Sequence, residues 1–419
     1  MKICDITMAY NAKSGGIKTY IDEKRRFLRD HTDHEHLLII PGSRDRIRRS
    51  GRSTTITLRG PLLPGQDQYR AFLSPVKIRK ALMQEQPDIV ELGSYYTEPW
   101  AAFAYRRRRR DAGLDCKLAA YFHTDVAEAY VGAPLRTAAQ TWLEELSEAL
   151  ANSVERIADV AASGAERYIR YVFNHCDVTM AASSEQADRL CEYGVDGTHV
   201  VPMGVDLKLF SPRRRSQAVR EGNGARPGEL VLIYAGRLST EKRVLTLIEA
   251  VRKLPRELKA QLWMLGDGPL REDVEAEAAK TPAIRLLKYE GERARFAATL
   301  ASADIYVTAG PFETFALSVI EAQACGLPVV GVDAGALRER VAPGLGYLGP
   351  VDDAGSMAAN IARAAAEHAA IARRARAHVE EHFAWPRAFA KLLRCYDLPA
   401  RVEIAPPPAA REPAVLAAE

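Results

Sequence analysis

Short apolar runs alternate with helix-period stretches along almost the whole chain, and few folds accept that rhythm. In the first half the runs are "KICDIT", "HLLII", "DIVEL", "KLAAYF", "DVTMAAS" and "HVVPM". In the second they are "ELVLIYAG", "QLWMLG", "AIRLLKY", "DIYVTAG" and "LPVVGV". Stretches such as "RVLTLIEAVRKL" and "RARFAATLASA" fall between them with helical spacing. Strands that are apolar throughout, rather than alternating, belong in parallel sheets covered by helices on both faces. A chain of 419 residues exceeds one ordinary core. Two doubly wound α/β domains are therefore predicted.

The rhythm breaks once, at "SPRRRSQAVREGNGARPGE", Ser211 to Glu229, which is polar and has no periodic apolar face. This predicts a first Rossmann-like domain over 1–204, a linker over 205–228 and a second Rossmann-like domain over 229–385. A last helix over 386–398 is expected to return toward the first domain. The Pro- and Ala-rich end, 399–419, reads as a disordered tail.

Bulk properties narrow the class. With 47% hydrophobic and 27% charged residues and a net charge of +4, the composition is that of a soluble globular protein, with no call for a nucleic-acid partner. No run of about 18 apolar residues marks a membrane span. The start, "MKICDITMAYN", turns polar too soon for a signal peptide, so a cytoplasmic location is expected. The six cysteines show no CxxC or Cys/His spacing and read as buried, reduced thiols.

In doubly wound sheets ligands lie at the carboxyl ends of strands, so the strand-to-helix loops carry the chemistry. "AGPFETFALSVIEAQACGLPVVG", Ala309 to Gly331, runs from a strand end through a loop into a helix. The free amides and positive dipole end of that helix suit a phosphate at Phe315 to Leu317. Glu313 precedes the helix and Glu321 lies inside it, about 8 to 12 Å apart at helical rise. Two carboxylates of a retaining glycosidase would need only about 5 Å between them. The wider spacing suits a long ligand with a phosphate in the middle and a hydroxyl-rich ring at each end, the layout of a nucleotide sugar. In "YAGRLSTEKRVLTLIEAV", Arg237 and Lys242 flank another strand-to-helix turn and form a diphosphate site, where fixed cations stabilise a leaving nucleotide. "LGDGPL" adds Gly266 and Gly268, and "KSGGIKTY" adds Gly15 and Gly16, paired glycines that let backbone approach a ligand.

Taken in order, "SGGIKTY", "YFHTD", "VPMGVD", "GRLSTEK", "LGDGPL" and "ETFALSVIE" followed by "EAQACGLPVV" resemble the family 4 glycosyltransferases of the GT-B fold over nearly the whole length. The resemblance implies two Rossmann-like domains facing a central cleft, with the acceptor on the N-terminal side. It implies that Arg237 and Lys242 hold the diphosphate, Glu313 the donor sugar and Glu321 the ribose. The backbone of Thr314, Phe315, Ala316 and Leu317 would meet sugar and phosphate. The family usually has glycine where this chain has Thr314 and Ala316, which narrows the donor space. The Gly15–Gly16 loop would close over phosphate and acceptor, His123 would contact the donor sugar, and Asp125 would grip the acceptor. Retention of anomeric configuration is implied. No D-x-D motif is present, so no metal and no cofactor are expected.

"HTDVAEAY" and "DIVELGS" look most like mannosyltransferases of glycolipids and polysaccharides, so GDP-mannose is the first donor and UDP-glucose the second. The acceptor is expected to be a glycan or a lipid-linked molecule. The basic runs "EKRRFLR", "RIRRSGR", "YRRRRR" and "PRRR" suggest peripheral contact with anionic membrane. A nucleotide-sugar epimerase and a non-catalytic nucleotide-sugar-binding protein are the competing classes. A dehydrogenase is disfavoured, since no G-x-G-x-x-G follows the first strand.

Overall fold

The apolar runs become buried strands and assemble into two sheets, as seen in a computed structural model that describes residues 1–11, 15–63, 66–123 and 148–399. The first sheet uses β1 (Lys2–Ile6), β2 (Glu35–Gly42), β3 (Arg46–Ser50), β4 (Ser53–Arg59), β7 (Ile89–Leu92), β8 (Lys117–Phe122), β9 (Val178–Ala181) and β10 (His199–Val200). Its order is β10-β9-β8-β7-β1-β2-β4-β3, parallel except for the β3–β4 pair. A small hairpin of β5 (Leu62–Leu63) and β6 (Gln66–Arg70) lies apart from it. The second sheet uses β11 (Leu230–Ala235), β12 (Ala260–Leu265), β13 (Ile284–Leu287), β14 (Ile305–Val307), β15 (Val329–Val332) and β16 (Gly346–Gly349). Its order, β13-β12-β11-β14-β15-β16, is parallel throughout. The fold is thus α/β, with two doubly wound halves.

Helices cover the faces. In the first half they are α1 (Gly16–His31), α2 (Pro75–Glu85), α3 (Glu98–Asp111), α4 (Glu148–Asn174) and α5 (Ser184–Glu192). Next come α6 (Gln217–Gly222), α7 (Val244–Arg252), α8 (Arg271–Ala279), α9 (Arg293–Ala301), α10 (Leu317–Ala324) and α11 (Leu337–Arg340). The chain ends in α12 (Ala354–Ala366), α13 (His368–His382) and α14 (Trp385–Cys395). Both faces of the central strands are sealed, which is why Leu37, Leu38 and Ile39 in succession, and Val231, Leu232 and Ile233 likewise, have no exposed surface.

The polar segment after Ser211 is held down rather than loose. It forms a short 3-10 turn and α6, and Arg215 and Arg220 both pair with Asp304 on the second half. Sequence periodicity missed this because the segment is anchored by charge, with only Arg220 buried in α6. The chain crosses between the halves at Val205 and again at Ala384, where the two crossings form a parallel bridge. α14 then packs on α1: the Phe389 ring lies 5.3 Å from Phe27 and 5.8 Å from Tyr20. Beneath this contact is a buried charge cluster. Lys24 Nζ lies 2.7 Å from Asp5 and 2.8 Å from Glu91, and the Tyr20 and Tyr396 hydroxyls both donate to Glu91. Burial pushes the Glu91 carboxyl up to about 7, against the pull of Lys24.

The six cysteines are free, but Cys191 is exposed and Cys176 and Cys395 are only half-buried. Many arginines of the basic runs are neutralised by carboxylates. Arg106 and Arg110 meet Asp177, Arg29 meets Asp30, and Arg49 meets Glu85. "RIRRSGR" is the edge strand β3 and its turn into β4, where charged side chains also block further strand pairing. Among the described residues no helix is long and apolar enough to cross a membrane.

Candidate active site

In each sheet the strand order reverses at one point, between β1 and β7 and between β11 and β14. Such switch points open a crevice at the carboxyl ends of the strands. The loops leaving β11, β12 and β14 carry Arg237 and Lys242, Gly266 and Gly268, and Glu313 to Ala316, respectively.

Two of these loops meet. Lys242 Nζ lies 2.6 Å from Glu313 Oε1, with both side chains mostly buried. Tyrosines brace the surrounding backbone: the Tyr234 hydroxyl donates to the Arg237 carbonyl at 2.7 Å, and the Tyr306 hydroxyl donates to Ser318 Oγ at 2.8 Å. Arg237 is exposed, and its guanidinium forms no ion pair among the described residues. A paired ammonium and carboxylate can receive an anionic group and a hydroxyl group side by side.

The next element is the start of α10. Ala316 takes a left-handed conformation, φ 61° and ψ 56°, and no side chain among the described residues caps the helix. That conformation costs a non-glycine residue roughly 1 kcal/mol or more. The uncapped amides give this end the anion preference of a helix N-terminus. Leu317 faces the N-terminal half: a side-chain carbon added at Gly16 would lie 3.8 Å from it. Around Gly15 the same construction meets nothing within 4 Å among the described residues. The Phe315 ring is buried, 6.1 Å from Phe383 and under the Arg340 guanidinium at 4.5 Å. Thr314 spans the crevice, its hydroxyl donating to the His123 carbonyl at 2.9 Å, while its own carbonyl accepts from Ser183 at 3.1 Å.

His123 follows β8 and is 4% exposed. Its ring stacks on Tyr121 at 4.1 Å and meets the edge of Tyr20 at 5.3 Å. Burial drives its pKa down to about 3, so the ring is neutral in the physiological range. Nδ1 is buried and has no hydrogen-bond partner among the described residues. A neutral imidazole in this state can orient a hydroxyl, and it is a poor proton acceptor. Asp125 lies outside the described residues.

Gly266 and Gly268 have a reason the sequence did not suggest. A side-chain carbon at Gly266 would collide with the Gly236 carbonyl, and one at Gly268 with the Leu238 backbone. Their smallness lets the β12 loop press against the β11 loop that carries Arg237. Glu321 is 3% exposed and pairs with Arg293 at 2.7 Å. Burial raises its pKa, and Arg293 opposes that shift.

Sequence reasoning passed over several contributors. Gly335, at φ +59°, lies so close to Pro311 and Glu313 that a side-chain carbon would sit 2.7 and 2.8 Å from their carbonyl oxygens. The neighbouring Ala336 amide donates to the Glu313 carbonyl at 2.7 Å. Arg340, 4% exposed, reaches from α11 to the Ala182 carbonyl of the other half at 3.1 Å and to the Phe315 carbonyl at 3.2 Å. Only the proximity of Gly335 to Arg340 in a G-x4-R stretch hinted at either, and that spacing has no signature of its own.

This fold with its cleft defines the class of two-domain GT-B glycosyltransferases. The same architecture is found in sucrose-phosphate synthase from Thermosynechococcus elongatus, with TM-score 0.72, 19% identity, and 95% and 98% of the two chains covered. It is found too in Anabaena Alr3699/HepE, solved with UDP and glucose, with TM-score 0.69, 18% identity, and 95% and 99% covered. The family model for glycosyl transferases group 1 matches residues 216–378, and that for glycosyltransferase family 4 matches residues 14–209. A GDP-mannose-dependent alpha-(1-6)-phosphatidylinositol dimannoside mannosyltransferase of Mycobacterium tuberculosis is 32% identical over 403 residues, 94% of this chain and 95% of the relative. A GDP-mannose-dependent alpha-mannosyltransferase of Corynebacterium glutamicum is 30% identical over 75% of this chain and 68% of its own. The chain belongs to the family 4 glycosyltransferases and is a hexosyltransferase that uses a nucleotide sugar.

Proposed function

We propose that the enzyme transfers mannose from GDP-mannose, with retention of configuration, to a lipid-linked or glycan acceptor. The observation that carries this reading is the Lys242–Glu313 pair beside the uncapped start of α10, opposite Gly16. In the proposed arrangement Arg237, Lys242 and the α10 amides from Ala316 and Leu317 hold the diphosphate. Glu313, with the Thr314 and Phe315 backbone, holds the hexose, Glu321 the ribose, and His123 a sugar hydroxyl. Gly15 and Gly16 close over phosphate and acceptor, and Gly266 and Gly268 keep the phosphate loop in shape. The acceptor oxygen bonds to the anomeric carbon as the bond from that carbon to the phosphate oxygen breaks. The acceptor proton passes to the departing phosphate on the same face, and the cations stabilise the charge left on the nucleoside diphosphate.

The mannose preference is supported by the donor named for the relatives at 30% and 32% identity. UDP-glucose remains the second reading, since UDP-glucose complexes exist within this architecture. Calorimetry with GDP and UDP, followed by transfer assays with the two donors and a mannolipid extract, separates them. Tighter UDP binding and glucose incorporation would reverse the choice.

We propose further that the N-terminal half touches an anionic membrane through one ridge. Trp100 on α3 and Tyr171 on α4 are 46% and 41% exposed and stack at 5.7 Å, with Phe103 6.4 Å from Tyr171. Arg107 and Arg167, also exposed, stand four residues, about one turn, from Phe103 and Tyr171 on their helices. Aromatic rings flanked by arginines suit the interface of acidic lipid.

A further inference from the structure

Arg293 opens α9, and its Nη2 lies 2.7 Å from Oε1 of Glu321 inside α10. The two residues come from different strand-to-helix connections, yet the guanidinium is not free to wander. It lies over the Phe210 ring at 4.8 Å and the Phe296 ring at 5.7 Å, and Phe210 is fully buried. A planar guanidinium stacked on two aromatic rings keeps few orientations. The Arg293 side chain is 44% exposed while that of Glu321 is 4% exposed, so the cation forms the open side of the pair and the carboxylate its floor. Only Oε1 of Glu321 is used; Oε2 accepts no hydrogen bond from the described residues. A carboxylate this deep requires compensation for its charge.

We infer that Arg293 is the positioning residue of the nucleotide-binding carboxylate: it fixes Glu321 through Oε1 and reserves Oε2 for a hydroxyl of the ligand. This rests on the reading that Glu321 binds the ribose. A vicinal diol donates to an ionised carboxylate far better than to a carboxylic acid, so the arginine acts on the ligand through the charge and orientation of its partner. Without the cation, burial alone governs Glu321, and protonation then competes with ribose binding. The sign follows. Binding by a variant without the cation strengthens as pH rises, because deprotonation restores the acceptor, whereas binding by the unchanged protein stays level.

The test is calorimetric titration of GDP and UDP into the full chain, the Arg293→Gln variant, the Arg293→Lys variant and the Glu321→Gln variant between pH 6 and 9. Arg293→Gln should bind about tenfold more weakly at pH 7 and recover toward the unchanged protein at pH 9, consistent with losing one charged hydrogen bond. Arg293→Lys should stay within about threefold with a level profile, because the charge remains. Glu321→Gln should be weak at every pH. Should Arg293→Gln fail to fold, the Arg293→Lys and Glu321→Gln profiles carry the comparison: equal affinities in the two overturn the inference. Equal binding by Arg293→Gln and the unchanged protein at every pH overturns the role of Arg293 while leaving the nucleotide reading intact. Tighter binding by Arg293→Gln makes the arginine a plug, which also overturns it. If the unchanged protein binds neither nucleotide, it is the reading of Glu321 that falls.

Discussion

The hydroxyl of Thr314 donates to the backbone carbonyl of His123 across the cleft, at 2.9 Å. One residue of the proposed donor loop is thereby tied to the opposite half, where the family habit of glycine would leave no side chain to bond. Thr314→Val should remove this tie and Thr314→Ser should keep it. The expected cost of Thr314→Val is about 0.5–1.5 kcal/mol in stability, together with a several-fold rise in donor KM. Unchanged donor kinetics in Thr314→Val would show that closure does not depend on this bond.

Lys242 and Glu313 are expected to act as one unit on the donor. Lys242→Ala or Glu313→Gln should lower kcat by about 10²–10³-fold, the usual effect of deleting a charge-stabilising group, while thermal midpoints move little. The double variant should lose far less than the product of the two singles, as contacting residues do. Activity within a few-fold of normal in both singles would remove the pair from the proposed site.

His123 supplies a pH prediction. Its folded value is held at about 3 against an ordinary value of 6.5, so between those limits the unfolded chain binds a proton that the folded one does not. The stability this gives is fully present above pH 6.5 and is lost as pH falls toward 3. Thermal midpoints of His123→Gln should therefore decline less steeply over that range than those of the unchanged protein. Parallel curves would mean that the ring is not buried in its neutral form.

Lys24 bridges Asp5 and Glu91 in the buried cluster, and His36 meets Asp5 beside it at 2.6 Å. Lys24→Met would leave two carboxylates without it, at a cost of about 3–5 kcal/mol. Tyr396→Phe should cost only about 1–2 kcal/mol, the loss of one donor to a buried carboxylate. Urea unfolding would measure both. A Lys24→Met protein as stable as its parent would indicate that water reaches this cluster.

The aromatic ridge predicts sedimentation with vesicles of acidic phospholipid at low salt and release at high salt, as screening demands. Replacing Trp100 and Tyr171 together by Ala should abolish it without altering nucleotide affinity. Equal sedimentation of the double variant would move the contact elsewhere on the surface.

Much of this architecture was legible because its cause is local. Apolar strands without alternation imply sheets buried on both faces, and "DIYVTAG" before "PFETF" announces a strand end and a loop. The pairing of Lys242 with Glu313 was inferable in kind, as charges in two loops of one crevice, although the residues stand 71 positions apart. The Arg293–Glu321 bond and the reach of Arg340 to Ala182 were not legible, because an arginine near a helix start reads the same whether it is solvated or clamped. Gly266 and Gly268 read as places for ligand approach, and their smallness also admits a neighbouring loop. Backbone-to-backbone crowding leaves no trace in a single chain's composition.

The bridge between Val205 and Ala384 has a practical corollary. The polypeptide leaves its first half and comes back at one doorway, and Trp385 to Tyr396 then pack on and seal that first half. An engineer wishing to produce the two halves separately should therefore cut on both sides of the doorway and graft the closing helix onto the opening 204 residues. Divided at the linker alone, the leading fragment would surface with the greasy seat of Tyr20 and Phe27 uncovered.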